Sequence, residues 1–204
     1  MSSEAAPLLP TSQHTIGPFF PRTLFQPGDN DLTVVAHGAP PTRLGEAILL
    51  RGRVTRAEGV PCLNQILESW QADAAGRFDH PLDPERQLAD PDFLGCGRAW
   101  TAAEGQYEFR TVLPGGYAEA TGRRAPHVNL TVMGAGLMRR VTTTVFFPDF
   151  PAENAADPVL ALVPPALRAR LVAVPDGTVD GMRAFRFDIR LRGAAHEETP
   201  FFEE

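Results

Sequence analysis

Ala184-Phe185-Arg186-Phe187-Asp188-Ile189-Arg190-Leu191 alternates apolar and charged side chains from end to end. Successive strand residues point to opposite faces, so Phe185, Phe187, Ile189 and Leu191 share one face and Arg186, Asp188 and Arg190 the other. Such a pattern predicts a strand with a core on one side only. Working back along the chain, weaker period-two signals occupy Ala47 to Val54, Leu63 to Gln71, Tyr107 to Val112, Val128 to Met133 and Val141 to Phe147, separated by turn-rich links. Many short strands at this spacing predict an all-β sandwich.

Helical periodicity is scarce. The best candidate is Pro164 to Leu171, where proline suits a first helical turn and Leu167 and Leu171 share a face. Residues 1–45, rich in Pro and Gly, read as an extended arm ahead of a sandwich at 46–204, within one structural domain. The span from Asp79 to Asp92 reads as a long loop, and long loops on a β scaffold are usually functional or interfacial. No internal repeat or low-complexity tract points to a second domain.

A chain of 204 residues, 43% hydrophobic and 22% charged, lies in the globular range. Roughly 70% of its unfolded surface can be buried at this length, so no staple is required. Two cysteines, Cys62 and Cys96, make no disulfide framework; they read as small core residues in a reducing compartment. The first residues lack the basic-then-apolar pattern of a secretory signal, and no run of about 18 apolar residues could cross a membrane. The expectation is a cytoplasmic protein. A net charge of −6, with only Arg123–Arg124 and Arg139–Arg140 as basic pairs, offers no stripe for nucleic acid.

Histidines stand at 14, 37, 80, 127 and 196, none spaced to share a metal, and HExxH, CxxC and phosphate-loop motifs are absent. His127 opens the strand HVNLTV, where its same-face neighbour is Asn129. An imidazole beside a carboxamide is a poor iron site, since a neutral amide neither donates strongly nor offsets the metal's charge. The plain reading is a half-buried histidine bonded to a neighbour. Tyr117, after a Gly-Gly turn, reads as an aromatic anchor or a phenolate ligand, and Trp70 and Trp100 as core or interface aromatics. Ser12 and Thr15 near His14 give little support to a hydrolase.

Taken together, LNQILESWQADAAGRF, FLGCGRAWT, YEFRTVLPGGY and RRAPHVNLTV, in that order from about residue 11 to RFDIRLRG and Phe201-Phe202, resemble the intradiol ring-cleavage dioxygenases. The resemblance covers nearly the whole chain and implies that family's β-sandwich, with long loops and a few short helices. Catalytic members hold a non-haem ferric ion with two tyrosines and two histidines. The matching positions here are Phe78, Tyr117, His127 and Asn129, so two donors are kept and two lost, and the resemblance implies a vestigial site that binds no metal.

That loss resembles the iron-free α-type chains of hetero-oligomeric members, in which a β-type chain keeps all four ligands. TSQHTIGPFF resembles the α-type segment that walls the partner's substrate pocket, which implies that role for Thr15, Gly17, Pro18 and Phe19. Ala135, in the loop MGAG, falls where such chains place an arginine near the substrate carboxylate; Arg139 and Arg140 are the nearest basic substitutes. The implied reaction is intradiol cleavage of protocatechuate by O2 to 3-carboxy-cis,cis-muconate, in the β-ketoadipate pathway, with Fe(III) held by the β-type partner. Two other readings stay open: a self-sufficient dioxygenase using Tyr117 and His127 with further ligands, and a noncatalytic β-sandwich binding module.

Overall fold

In a computed structural model, residues 25–194 and 196–202 are described. Eleven strands, β1 (Ala47–Thr55), β2 (Gln65–Trp70), β3 (Cys96–Trp100), β4 (Gln106–Val112), β5 (Tyr117–Glu119), β6 (Gly122–Arg124), β7 (His127–Gly134), β8 (Val141–Phe146), β9 (Val174–Val179), β10 (Met182–Arg186) and β11 (Ile189–Arg190), are joined by a few short helices. β1 pairs antiparallel with β4 along one edge and parallel with β10 and then β11 along the other, and β9 lies outside β10. The second sheet is antiparallel, in the order β3-β2-β7-β8, and β5 and β6 form a separate hairpin. The all-β sandwich expected from the sequence is the observed fold.

Between the sheets lie Ile48, Leu50 and Val54 of β1, Leu67 of β2, Phe109 of β4, Val128, Leu130 and Val132 of β7, and Phe185, Phe187 and Ile189. The alternating stretch at 184–191 therefore buries the face its pattern marks out. It is two strands and not one, however. At the break the Phe187 amide donates to the Arg51 carbonyl (2.8 Å), and the Asp188 carboxylate takes the Arg53 amide (3.0 Å) in place of a ladder bond. The Tyr107 hydroxyl donates to the Phe187 carbonyl at 2.5 Å. Gly52 makes the approach possible, because a Cβ there would stand 1.9 Å from the Phe187 oxygen.

Several expectations need correction. Leu63 and Asn64 precede β2, Asn64 having a positive φ of 56°, and the strand starts at Gln65. Pro164 to Leu171 is a short α-helix, Pro165–Arg168, followed by a 3-10 turn, Ala169–Leu171. Two helices without marked periodicity precede it, α1 (Pro151–Ala156) and α2 (Pro158–Leu162), each with proline in its first turn. The cysteines are free but only half-buried, and Trp70 is 43% exposed. The span from Asp79 to Asp92, by contrast, is the long loop expected, with one 3-10 turn, Arg86–Leu88.

Residues 25–45 are tied to the sandwich. The Leu32 amide donates to the Arg110 carbonyl of β4 (2.8 Å), and the Arg98 amide of β3 donates to the Asp29 carbonyl (2.7 Å). One segment thus covers the edges of both sheets, and Leu32 enters the core fully buried. Among the described residues, no helix is long and apolar enough to cross a membrane.

Candidate functional site

Two glycine turns bring the candidate residues together. After β2, the Asp73 carboxylate accepts the amides of Ala75 (2.8 Å) and Arg77 (2.9 Å), closing the turn that ends at Phe78. The Gly115 amide donates to the Asp73 carbonyl (2.8 Å), docking the turn before Tyr117 onto it. The two backbones meet without side chains between them: a Cβ at Gly76 would lie 2.4 Å from the Gly116 oxygen, and one at Gly115 2.4 Å from the Gly76 nitrogen. Phe78 and Tyr117 are thereby set edge to face, with ring centroids 5.1 Å apart.

On β7, Val128, Leu130 and Val132 point into the core, which leaves His127, Asn129 and Thr131 on the outer face of the second sheet. His127 is nonetheless buried, because Tyr117 (5.5 Å between centroids) and Phe146 (5.9 Å) close over it. Trp70 stacks on Phe78 at 5.9 Å. The result is a continuous column of rings: Trp70, Phe78, Tyr117, His127 and Phe146.

Hydrogen bonds set the protonation states. His127 Nδ1 donates to the Ala125 carbonyl at 2.6 Å, so the lone pair is on Nε2, and the Tyr117 hydroxyl, 3.4 Å away, donates to it. Burial, helped by the nearby Arg124 guanidinium, pushes the imidazole pKa down to about 4. Burial also raises the Tyr117 pKa, against Arg124 and with Glu119. The pair is a neutral imidazole and a neutral phenol. Asn129 Oδ1 is taken by the Thr144 hydroxyl (2.8 Å).

Arg124 and Asp157 brace the site, although the sequence marked Arg124 only as half of a basic pair. Arg124 is the cross-strand partner of Tyr117. Its Nε donates to Asp157 Oδ2 (3.0 Å), which also accepts the Ala125 amide (2.8 Å). The other oxygen of Asp157 caps α2 through the amides of Val159 and Leu160, both at 2.9 Å. Burial opposes ionisation of Asp157, but the Leu160 and Ala125 amides and Arg124 outweigh it and hold the carboxyl below its usual range. The available signal was Asp157-Pro158, an N-cap residue followed by proline.

Of the positions singled out from sequence, Phe78, Tyr117 and His127 are in contact, and Asn129 is near them as the Cα partner of Trp70. Ala135 is apart from that group, in the exposed turn after β7, eight residues from His127 or roughly 27 Å along the strand. Thr15, Gly17, Pro18 and Phe19 lie outside the described residues.

A dioxygenase family model matches residues 16–193. The protocatechuate 3,4-dioxygenase alpha chain of Burkholderia cepacia is 37% identical over 95% of this chain and 96% of its own length. The chain belongs to the intradiol dioxygenase family. The beta chain from the same organism is 40% identical, over 85% of this chain and 75% of its own length. Among solved structures, the dioxygenase domain of a dioxygenase and carbohydrate-binding protein fusion from Streptomyces sp. SirexAA-E is 26% identical. It superposes with a TM-score of 0.57 over 91% of this chain and 99% of that one.

The intradiol dioxygenase family generally uses Fe(III), and the residues here do not fit it. Phe78 has no donor atom, the Asn129 oxygen is engaged by Thr144, and Tyr117 and His127 spend their facing atoms on each other. Among the described residues, no three His, Cys, Asp or Glu side chains come together in a group that could hold a metal ion.

Proposed function

We propose that this chain is the non-catalytic, α-type subunit of a cytoplasmic protocatechuate 3,4-dioxygenase. It completes the active site of an iron-bearing β-type partner for intradiol cleavage of protocatechuate to 3-carboxy-cis,cis-muconate. The observation that carries the reading is the closed Tyr117–His127 pair, flanked by Phe78 and Asn129 where two more donors would be needed. The likeness to both an alpha and a beta chain supports an αβ assembly of two chains of one fold. This chain's part is to wall the partner's substrate pocket with Thr15, Gly17, Pro18 and Phe19, and to keep water from it.

Purified alone, the chain should carry no stoichiometric iron, lack visible tyrosinate-to-iron absorption and show no ring cleavage; activity should appear on mixing with the β-type chain. A coloured, active isolated chain overturns the proposal. Replacement of Thr15 or Pro18 should change the KM of the assembled enzyme for protocatechuate and leave its iron content alone.

A further inference from the structure

Resting on that reading, one face of the molecule is suited to the iron-bearing partner. The column of rings does not end inside the fold. Its outer member, Trp70, is exposed, and the link between β2 and β3 holds out Leu82 (85% exposed), Leu88 and Leu94. Trp70 and Leu94 border one shallow hollow with Phe78 and Ala89. Leu82 is tied to the same side through His80, which packs edge-on against Trp70 (5.9 Å) and accepts the Leu82 amide on Nδ1 (3.2 Å). The loop is ordered by its own bonds: Asp83 takes the Phe78 amide (2.8 Å), Arg86 pairs with Asp79 (2.5 Å), and the Asp73 carboxylate takes the Asp90 amide (2.9 Å). An exposed tryptophan with leucines about it, on a pre-ordered loop with a polar rim, marks an interaction site.

Charge restricts the occupant. Residues 77–94 carry five carboxylates against Arg77 and Arg86, so −3 of the chain's −6 lies in this loop. Both arginines are engaged, Arg86 by Asp79 and Arg77 by Glu85 (3.6 Å), whereas exposed Asp92 has no ion-pair partner among the described residues. A second copy seated on this face about a twofold axis would set two such rims against each other, and like charges facing across an interface are strongly disfavoured. The complement is a chain whose apolar patch is bordered by basic side chains.

Symmetry points to which chain that is. In the functional reading above, the two partners share one fold. Two chains of one fold close most simply about a local twofold axis, which uses the equivalent face of each. A chain that walls its partner's metal pocket about such an axis is itself covered by the partner at the equivalent position. Here that position is Phe78, Tyr117 and His127, with Trp70 at the open end.

We infer that the iron-bearing chain docks over Trp70, Leu82 and Leu94, presents basic side chains to Asp92 and its neighbours, and so covers the closed Tyr117–His127 site. Leu82→Arg and Asp92→Arg, both at exposed loop positions, test this by titration against the β-type chain followed by light scattering. Each should weaken assembly by about tenfold or more, with the thermal midpoint of the isolated chain unchanged. Val174→Arg, exposed on β9 at the outer edge of the first sheet, should assemble as wild type.

Wild-type affinity in either loop variant overturns the inference, and so does an equal loss of assembly in Val174→Arg. A loop variant that alters only self-association of the isolated chain also overturns it, by making this face a contact between identical copies. Failure of the wild-type chain to assemble with the β-type chain at all instead refutes the functional reading, so the two failures are distinct.

Discussion

Tyr117 and His127 neutralise each other's chemistry. His127 binds fewer protons in the fold than in the unfolded chain between its ordinary pKa of 6.5 and its folded value of about 4. Stability therefore rises with pH through that window, and acidification from 6.5 to 4 should remove of order 3 kcal/mol. The urea midpoint measured across the window checks this. His127→Gln should flatten the slope there while leaving the acid loss below about pH 4 that comes from Asp157, whose depressed pKa stabilises the fold only while the carboxyl is ionised. Tyr117→Phe removes a single long hydrogen bond and should cost only about 1 kcal/mol. An unchanged urea midpoint between pH 6.5 and 4 would mean that the imidazole is not held neutral.

Among the elements, the hairpin of β5 and β6 depends on a residue more than thirty positions later. Asp157 binds Arg124, takes the Ala125 amide and caps α2, so a single buried carboxylate joins the hairpin, the link that leads into β7 and the helix. Asp157→Ala leaves the Arg124 guanidinium buried without its main counter-ion and should cost about 3–5 kcal/mol. Hydrogen exchange provides a sharper readout: the amides of β5, β6 and α2 should lose protection before those of β1 and β4. Uniform loss over both sheets would show that Asp157 supports the fold globally and not the hairpin. The break between β10 and β11 is of the same kind, because Asp188 and Gly52 only acquire meaning when β1 lies alongside.

At the scale of the molecule, residues 25–45 lead any arm out of the sandwich itself. Leu32 is fully buried, so Leu32→Ala should cost about 2–5 kcal/mol. A chain shortened to 46–204 should be destabilised by at least as much, since it also loses the cover over β3 and β4. Equal thermal midpoints for the shortened and full chains would make 46–204 a self-sufficient unit. The sequence by itself determined the sandwich, the inward face of Phe185, Phe187 and Ile189, and that Phe78 carries no donor atom and Asn129 only a neutral amide. Those features are local, being set by period-two burial and by which atoms a side chain possesses. Only the tertiary structure decided that Tyr117 and His127 close on each other, that Arg124 and Asp157 brace them, and that Leu32 belongs to the core. Each of these joins residues from separate strands or loops, and the distance between two side chains across a sheet is not encoded in the spacing along either strand.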